Sequence, residues 1–279
     1  MLPAQRRLTF RFKEEPMTDP IARGRFVHYD LMTSDIGEAV DFYTRLAGWG
    51  TMPWQGEGEP YTMWTNDGVP LGGVMPLPEE AKAVDAPPHW IAYVLVPDTR
   101  ATVAQTEQLG GSVIVPATDI PDIGSFAILH DPQGGAFAIF TPVGEVAGKD
   151  EPPKVGEFSW HELATTDWEA ALGFYHQVFG WEKTESMDMG ELGTYQMYGR
   201  AGLSLGGFFN KPDEVEGPPE WLYYIMVPDA NEAAVTVQML GGQVMNGPVG
   251  VPGGGLVAHC LDPQGGRFAI HSLSTKEDK

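Results

Sequence analysis

The chain repeats itself. The segment Phe26-Val27-His28-Tyr29-Asp30-Leu31-Met32-Thr33-Ser34-Asp35 lines up with Phe158-Ser159-Trp160-His161-Glu162-Leu163-Ala164-Thr165-Thr166-Asp167. The match continues through Phe42-Tyr43 and Phe174-Tyr175 to Gly48-Trp49 and Gly180-Trp181, all at an offset of 132. Leu71-Gly72-Gly73 answers Leu205-Gly206-Gly207 at an offset of 134. Pro87-Pro88-His89-Trp90 answers Pro218-Pro219-Glu220-Trp221, and Asp131-Pro132-Gln133-Gly134-Gly135 answers Asp262-Pro263-Gln264-Gly265-Gly266, both at 131. Only short loop insertions separate the copies, so the fold must be one that the same stretch can form twice.

The pattern inside one copy predicts its elements. Phe26 to Thr33 is rich in strand formers. Asp35 with Glu38 three residues later makes a helix start, and Ile36, Ala39, Val40, Tyr43 and Leu46 follow at helical spacing until Gly48. Short strands end near Leu71 to Met75. A Pro-rich break from Met75 to Pro88 then leads to a strand from His89 to Val96 and a helix capped by Asp98 that stops at Gly110-Gly111. Strands return at Val113 to Pro116 and Ser125 to Leu129. The turn Asp131-Pro132-Gln133-Gly134-Gly135 introduces a last strand from Ala136 to Thr141. This order, strand, helix, then several strands, occurs twice per copy, which predicts an α+β fold with helices packed on mostly antiparallel sheets. The organisation reads as a leader over 1–22, a first domain over 23–141, a linker over 142–156, a second domain over 157–273 and a tail over 274–279. Met17 is an alternative start.

Lys plus Arg number 17 against 38 Asp plus Glu, a net charge of −21. Such a surface repels phosphate backbones and anionic membranes, which argues against nucleic-acid and membrane partners. No stretch reaches 18 apolar residues, and residues 1–20 lack the apolar core of a secretory signal. A cytoplasmic protein is expected. The single cysteine, Cys260, allows no internal disulfide and reads as a small buried residue. The glycine pairs follow strands or turns and do not precede helices, so no phosphate-binding loop is present. Trp49 and Trp181 are expected in the core.

These motifs resemble the vicinal oxygen chelate superfamily, which covers glyoxalase I, bleomycin-resistance proteins and extradiol dioxygenases. The shared features are a strand followed by Leu-x-Thr-x-Asp, a helix with Phe-Tyr that closes on Gly-Trp, and an Asp-Pro-Gln-Gly turn before a final strand. The resemblance spans nearly all of residues 26–141 and 158–272 and implies two tandem glyoxalase-like domains. Each would be a pair of βαβββ units forming a cupped mixed sheet with helices outside.

The resemblance also implies a divalent ion in the cup, held by residues of the first and last strand of each unit, usually His and Glu. Carried over, the positions in the first domain are His28, the stretch Leu71-Gly72-Gly73, Ile91 and Ala138. In the second they are Trp160, Leu205-Gly206-Gly207, Leu222 and Ala269. One possible ligand in eight positions does not make a metal centre, so no cofactor is expected. His89, on the same strand face as Ile91, and Asp30, two residues beyond His28, are the candidates to join His28 in a displaced site.

Alternation puts His28 and Asp30 on one face of the first strand, with Trp160 and Glu162 in the second copy. The resemblance implies that this is the concave face of each cup, with Leu31 and Leu163 facing the helices. Tyr93, Tyr224 and His271 are expected in the cups as well, with Arg267 able to pair with Glu162. The loop Trp54 to Tyr61, flanked by Trp54 and Trp64, suggests a lid. The leading expectation is a small-molecule binding protein with degenerate metal positions, its ligand cationic or aromatic. The alternative is an enzyme of the lyase, isomerase or dioxygenase type, with a metal at His28 or a carboxylate base, Asp30 or Glu162. A third reading makes one domain structural and the pair an interaction module. A monomer or weak homodimer is expected.

Overall fold

Strand alternation and helix capping build each domain in the order anticipated. The computed structural model describes residues 23–54, 61–83, 85–144, 150–212, 214–215, 217–252 and 254–273. The expected leader, tail and loop centre, and the middle of the linker, lie outside these residues.

The first domain runs β1 (Phe26–Thr33), α1 (Ile36–Ala47), β2 (Gly50–Pro53), β3 (Thr62–Asn66), β4 (Val69–Pro76), α2 (Glu79–Lys82), β5 (His89–Leu95), α3 (Thr99–Gln108), β6 (Ser112–Ile120), β7 (Gly124–His130) and β8 (Ala136–Pro142). The second runs β9 (Phe158–Thr165), α4 (Trp168–Phe179), β10 (Glu182–Asp188), β11 (Thr194–Arg200), β12 (Leu203–Asn210), β13 (Glu220–Met226), α5 (Ala230–Met239), β14 (Gln243–Gly250), β15 (Leu256–Leu261) and β16 (Arg267–Ser272). A single 3-10 turn, Gly190–Leu192, separates β10 from β11.

Each domain is one mixed eight-stranded sheet. The strand orders, β2-β3-β4-β1-β5-β8-β7-β6 and β10-β11-β12-β9-β13-β16-β15-β14, are the same order twice. β1 runs parallel to β4 and antiparallel to β5, so two four-stranded units meet at the sheet centre. The parallel approach of β4 to β1 and of β12 to β9 requires glycine. A Cβ on Gly72 would fall 1.8 Å from the Tyr29 carbonyl oxygen, and one on Gly206 would fall 1.8 Å from that of His161.

The helix signals act as read. The Asp35, Asp98, Asp167 and Asp229 side chains accept from backbone N–H groups in the first turns of α1, α3, α4 and α5. Gly48 and Gly180 end α1 and α4 in the left-handed conformation. Two details differ from expectation. A short helix, α2, forms within the Pro-rich break, where Pro78 precedes good helix formers. β6 also continues through Pro116 to Ile120, because it lies at the sheet edge and its pairing with β7 shifts register around that proline.

The helices α1, α3, α4 and α5 lie outside the cups, as expected, and turn one face to a shared core, whereas Ala81 of α2 packs against the apolar cluster of the first cup. One core of buried residues joins both domains, with Phe42, Tyr43 and Trp64 of the first and Phe174, Tyr175 and Trp181 of the second. Phe42 meets Phe268 edge-on, and Phe137 meets Tyr175. The repeated motifs lock this core across the domains. The Tyr43 hydroxyl donates to Asp262 Oδ2 at 3.0 Å, and the Tyr175 hydroxyl donates to Asp131 Oδ2 at 2.9 Å. Each aspartate also gathers backbone N–H groups of its own turn. Trp49 Nε1 donates to the Gly156 carbonyl and Trp181 Nε1 to the Gly24 carbonyl, both at 2.7 Å. The Phe-Tyr helix of each copy therefore holds the Asp-Pro-Gln-Gly turn of the other. Tyr29 and His161, matching positions in the two copies, meet in the middle at 2.7 Å.

Cys260 is buried, and burial pushes its thiol up to about 12. No described helix is long and apolar enough to cross a membrane.

Candidate functional site

The concave face of each sheet carries a carboxylate held by tyrosines. In the first cup, β1 contributes His28 and Asp30 and β5 contributes Tyr93, which pairs with His28 along the ladder. Tyr61, just before β3, donates its hydroxyl to Asp30 Oδ1. His28 Nε2 lies 3.0 Å from Asp30 Oδ1 and 2.8 Å from the Tyr61 hydroxyl. Asp30 is buried, while the His28 side chain is 31% exposed, so the imidazole is the polar group of this centre that a ligand reaches. The walls around it are apolar, with Met32, Ile91, Ile128, Ala138 and Phe126 packed together.

The second cup repeats the arrangement with different residues. Glu162 stands in place of Asp30, and Tyr195 of β11 donates its hydroxyl to Glu162 Oε2 at 2.8 Å. Tyr224 of β13 hydrogen-bonds the same carboxyl. Trp160 takes the place of His28, and its Nε1 donates to the Tyr195 hydroxyl at 2.7 Å. His259 of β15 adds a further link, its Nε2 2.9 Å from the Tyr224 hydroxyl. His271 of β16 pairs through Nδ1 with Ser159 Oγ at 3.0 Å. Burial lowers the pKa of both histidines, and the Arg267 charge lowers that of His259 further.

The glycines of β4 and β12 make room for these tyrosines. A Cβ on Gly73 would fall 2.0 Å from the Tyr61 ring, and one on Gly207 would fall 2.2 Å from the Tyr195 ring. The stretches carried over as the family's second position thus leave room for a tyrosine, Tyr61 just before β3 in one cup and Tyr195 on β11 in the other.

The two carboxyls differ electrostatically. Burial works to raise the pKa of Asp30, but the His28 charge and the hydrogen bonds from His28, Tyr61 and Tyr93 outweigh it, and the net shift is downward. Burial also dominates at Glu162. There the hydrogen bonds from Tyr195 and Tyr224 oppose it only in part, and the net shift is upward. Burial and the adjacent carboxyl push the four phenols above their ordinary range, so they remain donors.

Several sequence expectations require correction. Trp64 is fully buried in the interdomain core, not beside the cup. On β3 it pairs with Gly72, whereas Met63 pairs with Gly73, so alternation sends Trp64 to the helix side. Arg267 is exposed and pairs with Glu220 at 3.2 Å rather than with Glu162, because it opens β16 at the solvent end of the sheet. His89 faces Met32 on the ladder while His28 faces Tyr93. Four residues apart at about 3.3 Å each, they are separated by roughly 13 Å and cannot share an ion; His89 Nδ1 instead bonds the Pro87 carbonyl oxygen. Trp54 is half-buried, and its N–H bonds the Tyr61 carbonyl. The remainder of the suggested lid, 55–60, lies outside the described residues. Sequence reasoning missed Tyr61, Tyr195 and His259. The first two answer each other at the offset of 134 that also aligns the glycine pairs.

Comparison with known proteins places this geometry. The family model described as the Glyoxalase/Bleomycin resistance protein/Dioxygenase superfamily matches residues 25–139 and 157–270. The chain belongs to this superfamily. It is 34% identical over 244 residues to the protein named "Putative glyoxylase CFP32" of Mycobacterium tuberculosis (strain CDC 1551 / Oshkosh), covering 86% of this chain and 92% of that one. It is 29% identical over 278 residues to the anthracycline biosynthesis protein DauV of Streptomyces sp. (strain C5), covering 90% and 94%. The crystal structure of a Mn(II)-bound glyoxalase from Novosphingobium aromaticivorans shares the fold with a TM-score of 0.58 at 14% identity, covering 91% and 84%.

A metal is known in that structural neighbour, so the donor set matters here. The positions carried over hold His28, the stretch Leu71-Gly72-Gly73, Ile91 and Ala138 in one cup and Trp160, the stretch Leu205-Gly206-Gly207, Leu222 and Ala269 in the other. That is one imidazole and no carboxylate, which does not suit an ion seeking several oxygen and nitrogen donors. Among the described residues, no three His, Cys, Asp or Glu side chains come together as a metal-binding group.

Proposed function

We propose that this chain is a binding protein for a small organic molecule, held in the cup of one or both domains without a metal. The observation that carries the reading is the centre repeated in both cups. A buried carboxylate held by two tyrosines lies among aromatic and apolar walls, with apolar residues or glycine at nearly every position where the family holds its ion. Few convergent polar groups on an apolar concave surface suit an organic ligand. The relative named for anthracycline biosynthesis supports a role with such a molecule. In this reading the net charge of −21 keeps nucleic acid and membranes away, and the protein acts in the cytoplasm as a monomer or weak homodimer.

The test uses protein purified with a tag free of histidine. Elemental analysis should find metal well below one ion per chain, and a screen of aromatic and cationic compounds by thermal shift should find saturable stabilisation. About one ion per chain, with turnover that depends on it, contradicts the reading.

One observation favours a second reading, acid–base catalysis in the second cup. Burial raises the Glu162 carboxyl toward the range in which a base works, whereas His28 holds Asp30 ionised. Turnover abolished by Glu162→Gln in a folded protein identifies that case.

A further inference from the structure

The duplication supplies an internal control for what the second cup lacks. Matching positions carry Asp30 and Glu162, Tyr61 and Tyr195, Tyr93 and Tyr224, and His28 and Trp160. In the first cup the carboxylate has a basic partner within the protein, the His28 imidazole, whose Nε2 lies 3.0 Å away and forms an ion pair with it when protonated. In the second, Trp160 turns its N–H to the Tyr195 hydroxyl, and Glu162 is left with phenols. The titratable groups that face Glu162 are Tyr195 from β11 and Tyr224 from β13. His259 from β15 stands behind Tyr224, and Arg267 at the start of β16 is engaged with Glu220. A buried carboxylate with neutral donors alone is incompletely compensated. The residue that replaces the histidine is a half-buried indole, the aromatic ring that best accepts a cation on its face.

We infer that the second cup takes an organic cation, a protonated amine on an apolar or aromatic body. Its ammonium pairs with Glu162 where His28 serves Asp30, and its body lies against Trp160. The inference rests on the proposed role of the cups in holding small molecules and names the ligand class for one of them. Burial, which raises the pKa of Glu162, also couples binding to protons. An arriving cation favours the carboxylate, so at a pH below the folded pKa of Glu162 a proton leaves it for solvent as the ion pair forms, and affinity for the amine rises with pH across that titration.

Calorimetry with 1-naphthylmethylamine and its neutral counterpart 1-naphthalenemethanol tests this. The wild type should prefer the amine by about tenfold or more, the range of a charge-assisted hydrogen bond. Glu162→Gln, which keeps an acceptor for the phenols, should abolish the preference, and Asp30→Asn should preserve it. Titration in two buffers of different ionisation enthalpy, repeated from pH 7 down to pH 5, should show proton release that grows as the pH falls in the wild type and none in Glu162→Gln. Trp160→His, which supplies the cation from within, should weaken amine binding. A preference that survives Glu162→Gln, or vanishes in Asp30→Asn, overturns the inference. Equal binding of alcohol and amine overturns it too, while the reading of the cups as ligand sites stands. If neither compound binds and a wider screen finds no ligand, that reading fails and the inference falls with it.

Discussion

The first and second cups place a carboxyl, two phenols and an aromatic or imidazole ring at matching positions, yet Asp30 lies below its ordinary pKa and Glu162 above it. Burial is nearly the same in both, and so are the tyrosine donors. Among the groups that act directly on the carboxyl, what changes is one neighbour. His28 brings a basic imidazole into contact with its carboxylate, and Trp160 brings only an N–H that bonds a phenol instead. Duplication preserved the backbone register and the glycines that seat the tyrosines, while one side chain per cup set the electrostatics. A fold can thus carry two sites of the same shape and different chemistry.

The largest effect expected on perturbing this comparison comes from the interface that holds the cups back to back. His161 is fully buried, donates through Nδ1 to the Leu205 carbonyl and accepts from Tyr29, and burial lowers its pKa to about 4. Its folded pKa is depressed below the unfolded value of about 6.5, so the unfolded chain binds the extra proton between those limits. Stability is complete above pH 6.5 and falls by on the order of 3 kcal/mol as the pH drops to 4. Chemical denaturation over that range should show the slope, and His161→Gln should flatten it. Removing this contribution leaves the pH dependence of the cups themselves in view.

Next are the glycines. Gly207→Ala drives a methyl group into the Tyr195 ring, which Glu162 and Trp160 pin in place, and should cost about 2–3 kcal/mol. Gly73→Ala meets Tyr61 as closely, but Tyr61 lies outside regular strand and yields more easily, so its cost should be smaller. Unfolding midpoints of the two variants compare the cups directly.

The carboxyl substitutions should separate in sign. Asp30→Asn removes charge-assisted hydrogen bonds and should cost about 1–3 kcal/mol at pH 7. The folded pKa of Asp30 is depressed, so its contribution is present above the unfolded value near 3.8 and is lost as pH falls through the folded value. Glu162→Gln should be neutral or stabilising at pH 8. The folded pKa of Glu162 is raised, so wild-type stability declines as pH rises from 4.5 through the folded value, and the variant escapes that decline. The smallest effect belongs to Trp160→Phe, which removes one neutral hydrogen bond and should cost about 1 kcal/mol, read from the same denaturation curves.

Local rules carried much of this structure in the sequence. Asp35 and Gly48 bounded a helix because capping and positive φ are properties of single residues, and the alternation of β1 put His28 and Asp30 in the cup. The duplication checked each such reading a second time. The errors came where a side chain answers to a distant strand. Trp64 was grouped with the loop it follows in sequence, but parity from Gly72 places it in the core. The partner of Arg267 depended on depth along the sheet, which alternation does not reveal. Tyr61 and Tyr195 were legible in principle, since a tyrosine recurs twelve residues before each glycine pair's second member. The stretches Leu71-Gly72-Gly73 and Leu205-Gly206-Gly207 offer no ligand, but the space that Gly73 and Gly207 leave is what seats those rings. The contact of the Phe-Tyr helix with the other copy's turn required both domains in view at once.

The most direct test of the account is a carboxyl titration of Asp30 and Glu162 by carbon-13 NMR in one sample, repeated with Trp160→His. The account predicts Asp30 below its unfolded value and Glu162 above its own, with Trp160→His drawing Glu162 downward as His28 does Asp30. Two carboxyls shifted the same way, or a Glu162 that ignores the new histidine, would contradict the claim that one neighbour sets the chemistry of each cup.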